Sequence, residues 1–136
     1  MVRDCIFCKI AKGEIPSYKI YEDEDFFGFL DIKPIKKGHV LVIPKKHYRW
    51  VWDVENIGKY YEACQKIANA QRKAFSTEQI ISLVFGDEVP HAHVWLIPNI
   101  GEGGRNSLDL EVHLELSKEE MEEIAEKIKM ALESAS

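Results

Sequence analysis

Residues 91–98, His91-Ala92-His93-Val94-Trp95-Leu96-Ile97-Pro98, constrain the fold more than any other stretch of the chain. Two imidazoles and an indole alternate with small or aliphatic residues up to a proline, which is the period of two of a β-strand. On a strand over residues 91–97, His91, His93 and Trp95 share one face and Ala92, Val94 and Leu96 the other. Same-side neighbours then lie about 6.6 Å apart. Ordinary strands fill both faces with β-branched residues, and buried polar rings cost free energy unless they are hydrogen-bonded. The pattern is therefore either a core strand with two satisfied histidines or a rigid row of rings that carries chemistry.

The rest of the chain supplies partners for that strand. Cys5 and Cys8 share a face of a short helix over residues 5–11, which Gly13 is placed to end. Residues 18–21 and 26–32 read as two strands around the acidic turn Glu22-Asp23-Glu24-Asp25, an antiparallel hairpin by loop length. Residues 39–44 form a β-branched third strand ended by Pro44, which cannot donate to a ladder. Asp53 is a candidate N-cap for a long helix to about residue 75, with Val54, Ile57, Tyr61, Cys64, Ala68 and Phe75 on its apolar stripe. On that stripe Cys64 reads as core packing. Residues 80–85 form a fourth strand, separated from the motif only by Gly86-Asp87-Glu88-Val89-Pro90, so a hairpin presents the motif. Residues 99–106, with three glycines and one arginine, are expected to be a mobile loop. Ser117-Lys118-Glu119-Glu120 is a capping box, and Met121, Ile124, Ile128, Ala131 and Leu132 stripe a C-terminal helix. The assembled expectation is an α+β domain, an antiparallel sheet of about five strands with helices packed on it.

Composition narrows the function. A length of 136 residues, 46% hydrophobic and 30% charged, suits a single domain over residues 1–136. No apolar run approaches a membrane span and no secretory apolar region precedes Cys5, so a cytoplasmic protein without a membrane partner is expected. A net charge of −5 argues against general nucleic-acid binding. Residues 31–47 nevertheless hold five lysines against one acid, a local balance that would allow a phosphate-bearing small molecule. Three cysteines in such a chain point to a metal pair and a spare, not a disulfide framework. A CxxC is only half of a zinc site, and nothing around it has the βαβ setting of a redox motif.

The motif strand, Cys5-Ile6-Phe7-Cys8-Lys9-Ile10, Gly13-Glu14-Ile15-Pro16, Phe29-Leu30-Asp31-Ile32 and Gly38-His39-Val40-Leu41-Val42-Ile43-Pro44-Lys45-Lys46-His47 stand in the order found in the histidine triad (HIT) family, which the chain resembles over most of its length. The resemblance implies an HIT-like fold, with one long central helix and short N-terminal and C-terminal helices, commonly paired as a homodimer across a helix and a sheet edge. It implies a structural zinc ion on Cys5, Cys8, His47 and His91. It also implies a nucleotide substrate, with Ile6, Phe7, Ile10 and Phe29 around the base and Asp31 on the ribose hydroxyls. His93 matches the family's nucleophile, which attacks the α-phosphorus of a nucleotide and is held by the backbone carbonyl of the first motif histidine, here His91. His39 matches a common family position and is expected to hydrogen-bond locally; His113 is expected to face solvent.

Two departures bear on turnover. Trp95 stands where the family has a third histidine, and an indole cannot shuttle a proton. Where many relatives carry a glycine-rich loop ending in Gln and Ser or Thr before the motif, this chain has the shorter Gly86-Asp87-Glu88-Val89, and carboxylates beside a phosphate repel it unless they point away or bind a cation. The expected activity is hydrolysis or transfer at the α-phosphorus of a purine nucleotide, as in a nucleoside phosphoramidase. Dinucleoside polyphosphate hydrolysis is the alternative within the class. A zinc-stabilised nucleotide-binding or partner-binding module with little turnover is the alternative outside it.

Overall fold

The computed structural model describes residues 4–100 and 109–134. Among these, α1 spans Ile6–Ala11, β1 Lys19–Glu22, β2 Phe26–Leu30, β3 Val40–Pro44, α2 Ile57–Ala74, β4 Ile80–Leu83, β5 Val94–Pro98 and α3 Lys118–Ser134. The strands form one sheet in the order β1-β2-β3-β5-β4, with every neighbouring pair antiparallel. Of the loop expected over residues 99–106, residues 101–106 lie outside the described residues. Among the described residues, no helix is long and apolar enough to cross a membrane.

The period of two along each strand divides the core. Even positions Phe26, Leu30, Val40, Val42, Val94 and Leu96 face α2 and α3, where they join Tyr60, Ile67, Ile124 and Ile128 in the larger core. Odd positions Phe27, Phe29, Leu41 and Ile43 face the opposite side with Phe7 and Ile10 of α1. Ala92 belongs to the first cluster and Trp95 packs against the second, as the alternation of the motif predicts.

The strand expected over residues 91–97 begins later, at Val94. The reason lies in β3, whose last ladder pair with β5 is Val42 with Val94, and which ends in a proline. The Pro44 carbonyl accepts instead from His91 Nε2 at 2.8 Å. Backbone amides of His91 and Ala92 donate to Val89 and Tyr48 carbonyls at 2.8 and 2.7 Å. The two histidines therefore stand at the mouth of the ladder, held by loops and a side chain.

Asp53 is not the cap of the long helix. Residues Val51–Asp53 form a separate turn of 3₁₀ helix, and α2 follows Asn56, whose side chain makes no capping bond. The buried stripe runs through Tyr60, Ala63, Cys64, Ile67, Ala70 and Gln71, while Ile57 is exposed. Tyr60 sets this rotation, since its ring stacks on Phe26 and its hydroxyl donates to the Val42 carbonyl at 2.6 Å. Both β2 and β4 stop short of expectation, at Leu30 and Leu83. After Leu30 the carboxylate of Asp31 captures the Lys33 amide at 2.9 Å and turns the chain out of the ladder. The capping box is present: Ser117 Oγ accepts from the Glu120 amide at 3.1 Å, and Glu120 Oε1 accepts from the Ser117 amide at 3.0 Å.

Candidate metal centre and active site

The first turn of α1 carries Cys5 as its N-cap and Cys8 on the same face, both buried. Cys5 Sγ lies 3.2 Å from His91 Nδ1, and Cys8 Sγ lies 3.3 Å from His47 Nδ1 and 3.4 Å from His91 Nδ1. All four donor atoms fall within 4.8 Å of one another. His91 Nε2 faces a carbonyl, which can only accept, so the proton sits there and Nδ1 turns its lone pair toward the thiols. Burial holds His91 down to about 4, against the Pro44 hydrogen bond, and so keeps it neutral. Burial likewise pushes the Cys8 thiol up to about 11, with Cys5 adding to the effect. Two thiols and two imidazole lone pairs turned inward, from three separate stretches of chain, can hold a metal ion.

His93 lies beside this cluster, and its orientation is fixed. Nδ1 donates to the His91 carbonyl at 2.8 Å, so Nε2 carries the lone pair. Among the described residues no hydrogen-bond partner is recorded for Nε2, and it is not one of the two side-chain atoms sealed from solvent without a partner, His39 Nε2 and Gln71 Oε1. The Phe7 ring meets His93 edge-on at 5.2 Å and Phe29 at 5.6 Å, which leaves His93 only 4% exposed. Of the other expected base contacts, Ile10 is buried beneath α1 and Ile6 is 46% exposed. Ile6 lines an open groove of about 540 Å³ together with His47, Arg49 and Glu88.

Asp31 sits past the end of β2 and is partly buried. Burial pushes its carboxyl up and the Lys33 amide pulls it down; Glu88 adds to the rise, while His93 and His113 favour the charged form. Asp87 and Glu88 are exposed, next to Gly86, which adopts φ +80° and whose carbonyl accepts from Arg49 at 2.7 Å. Trp95 is partly buried, its ring 5.1 Å from His39 and 5.6 Å from Phe85. His39 bonds locally as expected, accepting from the Ile35 amide at Nδ1 over 3.2 Å. The packing of Trp95 on His39 carried no sequence signal, and the bonds of Gln71 to the Gly38 and Leu96 carbonyls none beyond a polar residue on an apolar helix face.

The chain is similar to known proteins in sequence and in fold. "Protein hit" of Bacillus subtilis (strain 168) is 44% identical over 107 residues, 74% of each chain. Adenosine 5'-monophosphoramidase HNT1 of Saccharomyces cerevisiae is 38% identical over 101 residues, 72% of this chain and 64% of the relative. A crystal structure of a Zn-bound histidine triad family protein from Mycobacterium smegmatis superposes with a TM-score of 0.81 at 30% identity, covering all of both chains. The HIT domain model matches residues 12–101. That span holds His39, His47, His91, His93 and Asp31 but neither cysteine of the cluster, so the assignment stands without the CxxC: the chain belongs to the histidine triad (HIT) family.

Proposed function

We propose that the protein is a nucleotide hydrolase or transferase acting at the α-phosphorus of a purine nucleotide, with nucleoside phosphoramidates as substrates. The observation that carries this reading is the His93 ring, whose Nδ1–H is held by the His91 carbonyl at 2.8 Å and whose other nitrogen has a lone pair to donate. Nε2 attacks phosphorus, the P–N bond breaks and the amine leaves with a proton from water. Water then cleaves the phosphorus–Nε2 bond, releasing the nucleotide and the free imidazole. The polarised Nδ1–H stabilises the positive charge that the ring gains on attack. Ile6, Phe7, Ile10 and Phe29 form the apolar wall for the base, and Asp31 accepts from the ribose hydroxyls. The phosphoramidase activity named for the yeast relative supports this substrate class.

Zinc is the metal this reading places on Cys5, Cys8, His47 and His91. Tetrahedral zinc holds sulfur at about 2.3 Å and nitrogen at about 2.0–2.1 Å, so its donors lie roughly 3.3–3.8 Å apart. Three S···N separations of 3.2–3.4 Å fit that cage to within a few tenths of an ångström, and the remaining donors, all within 4.8 Å of one another, need to close by no more than about 1 Å. With four protein ligands no position is left for substrate, and the ion would be structural, tying α1 to the loops on either side. The same reading makes the protein a homodimer, which the one-sided pairing of edge strand β4 supports.

The test is incubation with adenosine 5'-phosphoramidate. A nucleotidyl adduct by intact mass, lost in His93→Ala with a rate decrease of at least about a thousandfold, is the expected result. The burial of His93 and the indole at Trp95 favour a second reading, a nucleotide-binding module with little turnover. Binding of AMP with neither adduct nor product establishes that reading and rejects the first.

A further inference from the structure

We propose that His39 is a positioning residue for the nucleotide, its Nε2–H orienting the Asp31 carboxylate toward the 2'- and 3'-hydroxyls of the ribose. The inference rests on the reading of Asp31 as the ribose acceptor and adds the group that aims it. His39 is 1% exposed, yet its Nε2 has no hydrogen-bond partner. Because Nδ1 accepts the Ile35 amide, the proton of the neutral ring must be on Nε2. Its nearest recorded charged neighbour is Asp31 Oδ2, 3.7 Å away, just beyond hydrogen-bond length. A sealed N–H with no acceptor is rarely kept in a native core, and here a small movement of one carboxylate satisfies it.

The surroundings hold both members of the pair. The Asp31 amide donates to the His39 carbonyl at 3.0 Å, and the Asp31 Oδ1 accepts from Lys33, so only Oδ2 is left to turn toward the ring. Gly38, at φ +83°, packs its backbone against the Phe75 ring where any Cβ would collide. The Gln71 side chain of α2 donates to the carbonyls of Gly38 and Leu96 at 2.7 and 3.0 Å, which braces the start of β3 against β5. Trp95 covers His39, its ring 5.1 Å away. Burial keeps His39 neutral, down at about 4, so that it acts as a dipolar donor at any physiological pH. When a cis-diol donates to the carboxylate, Asp31 is drawn into a fixed orientation, and the Nε2–H···Oδ2 contact closes to hydrogen-bond length.

The experiment measures binding, so that it does not depend on turnover. Wild type, His39→Leu and His39→Gln are titrated with AMP and with 2',3'-dideoxy-AMP, and the His39 Nε2–H resonance is followed by NMR in the wild type. Wild type should prefer AMP, His39→Leu should lose about tenfold in AMP affinity and stay within about twofold for the dideoxy ligand, and His39→Gln, which keeps a donor, should fall between. The Nε2–H resonance should move downfield with AMP alone. Equal losses for both ligands, or an unmoved resonance, overturn the inference while leaving the ribose reading of Asp31 intact. Equal wild-type affinity for the two ligands, or no binding of either, overturns both.

Discussion

The two faces of the sheet are built from the same strands and do different work. The face under α2 and α3 is closed by two helices of 18 and 17 residues over a largely apolar core in which the Tyr60 hydroxyl and Gln71 are buried polar groups. The face under α1 is closed by a helix of six residues, and it carries two cysteines with His91 and His93 at its edge. A helix that short is not stable alone, and the apolar area beneath it is small. The Cys5, Cys8, His47 and His91 cluster joins it to the loops after β3 and before β5. Apolar burial is thus concentrated on one side of the sheet, while the other carries the polar rings and thiols.

Breaking the tie on the small face should give the largest effect. Cys8→Ser should lose the metal by elemental analysis and, since structural zinc contributes on the order of 10 kcal/mol where it organises a fold, lower the local opening free energy of α1 by several kcal/mol. Hydrogen exchange sharpens the result: amides of α1 should lose protection and those of α2 keep theirs. Uniform loss would mean that the two faces form one cooperative unit. Next, Ile67→Ala on the large face, at a site with 0% exposure, should cost about 4 kcal/mol by urea denaturation with metal content unchanged. Metal loss in that variant would contradict the division of roles.

A smaller effect comes from pH. Burial lowers His39 from its ordinary 6.5 to about 4, so between those values the unfolded chain binds a proton that the folded chain refuses. Stability from this group is complete above pH 6.5, falls as pH drops toward 4, and amounts to about 3 kcal/mol over the window. His91 is held down to about 4 as well, so His39→Leu should reduce the slope of that part of the stability profile by about half, and an unchanged slope would reject the assignment.

Much of this was legible in the chain itself, for identifiable reasons. Alternation over residues 91–97 assigns faces correctly because period two is a local property of extended backbone. Cys5 and Cys8 share a helical face for the same kind of reason, and Ser117 with Glu120 forms a cap within four residues. The long helix shows the limit. Its apolar residues allow several rotations, and the choice of Tyr60 over Tyr61 depends on the Val42 carbonyl, 18 positions away. Asp53 failed as a cap because a 3₁₀ turn intervenes before α2.

Local pattern and residue chemistry, then, were enough for the α+β class and the inward-facing rings, and the resemblance of the ordered motifs supplied the family. Three-dimensional packing set where β5 begins, which imidazole nitrogen carries each proton, and the pairing of His39 with Asp31. These depend on acceptors such as the Pro44 and His91 carbonyls, whose directions follow from ladder ends and loop turns and leave no mark in the order of side chains.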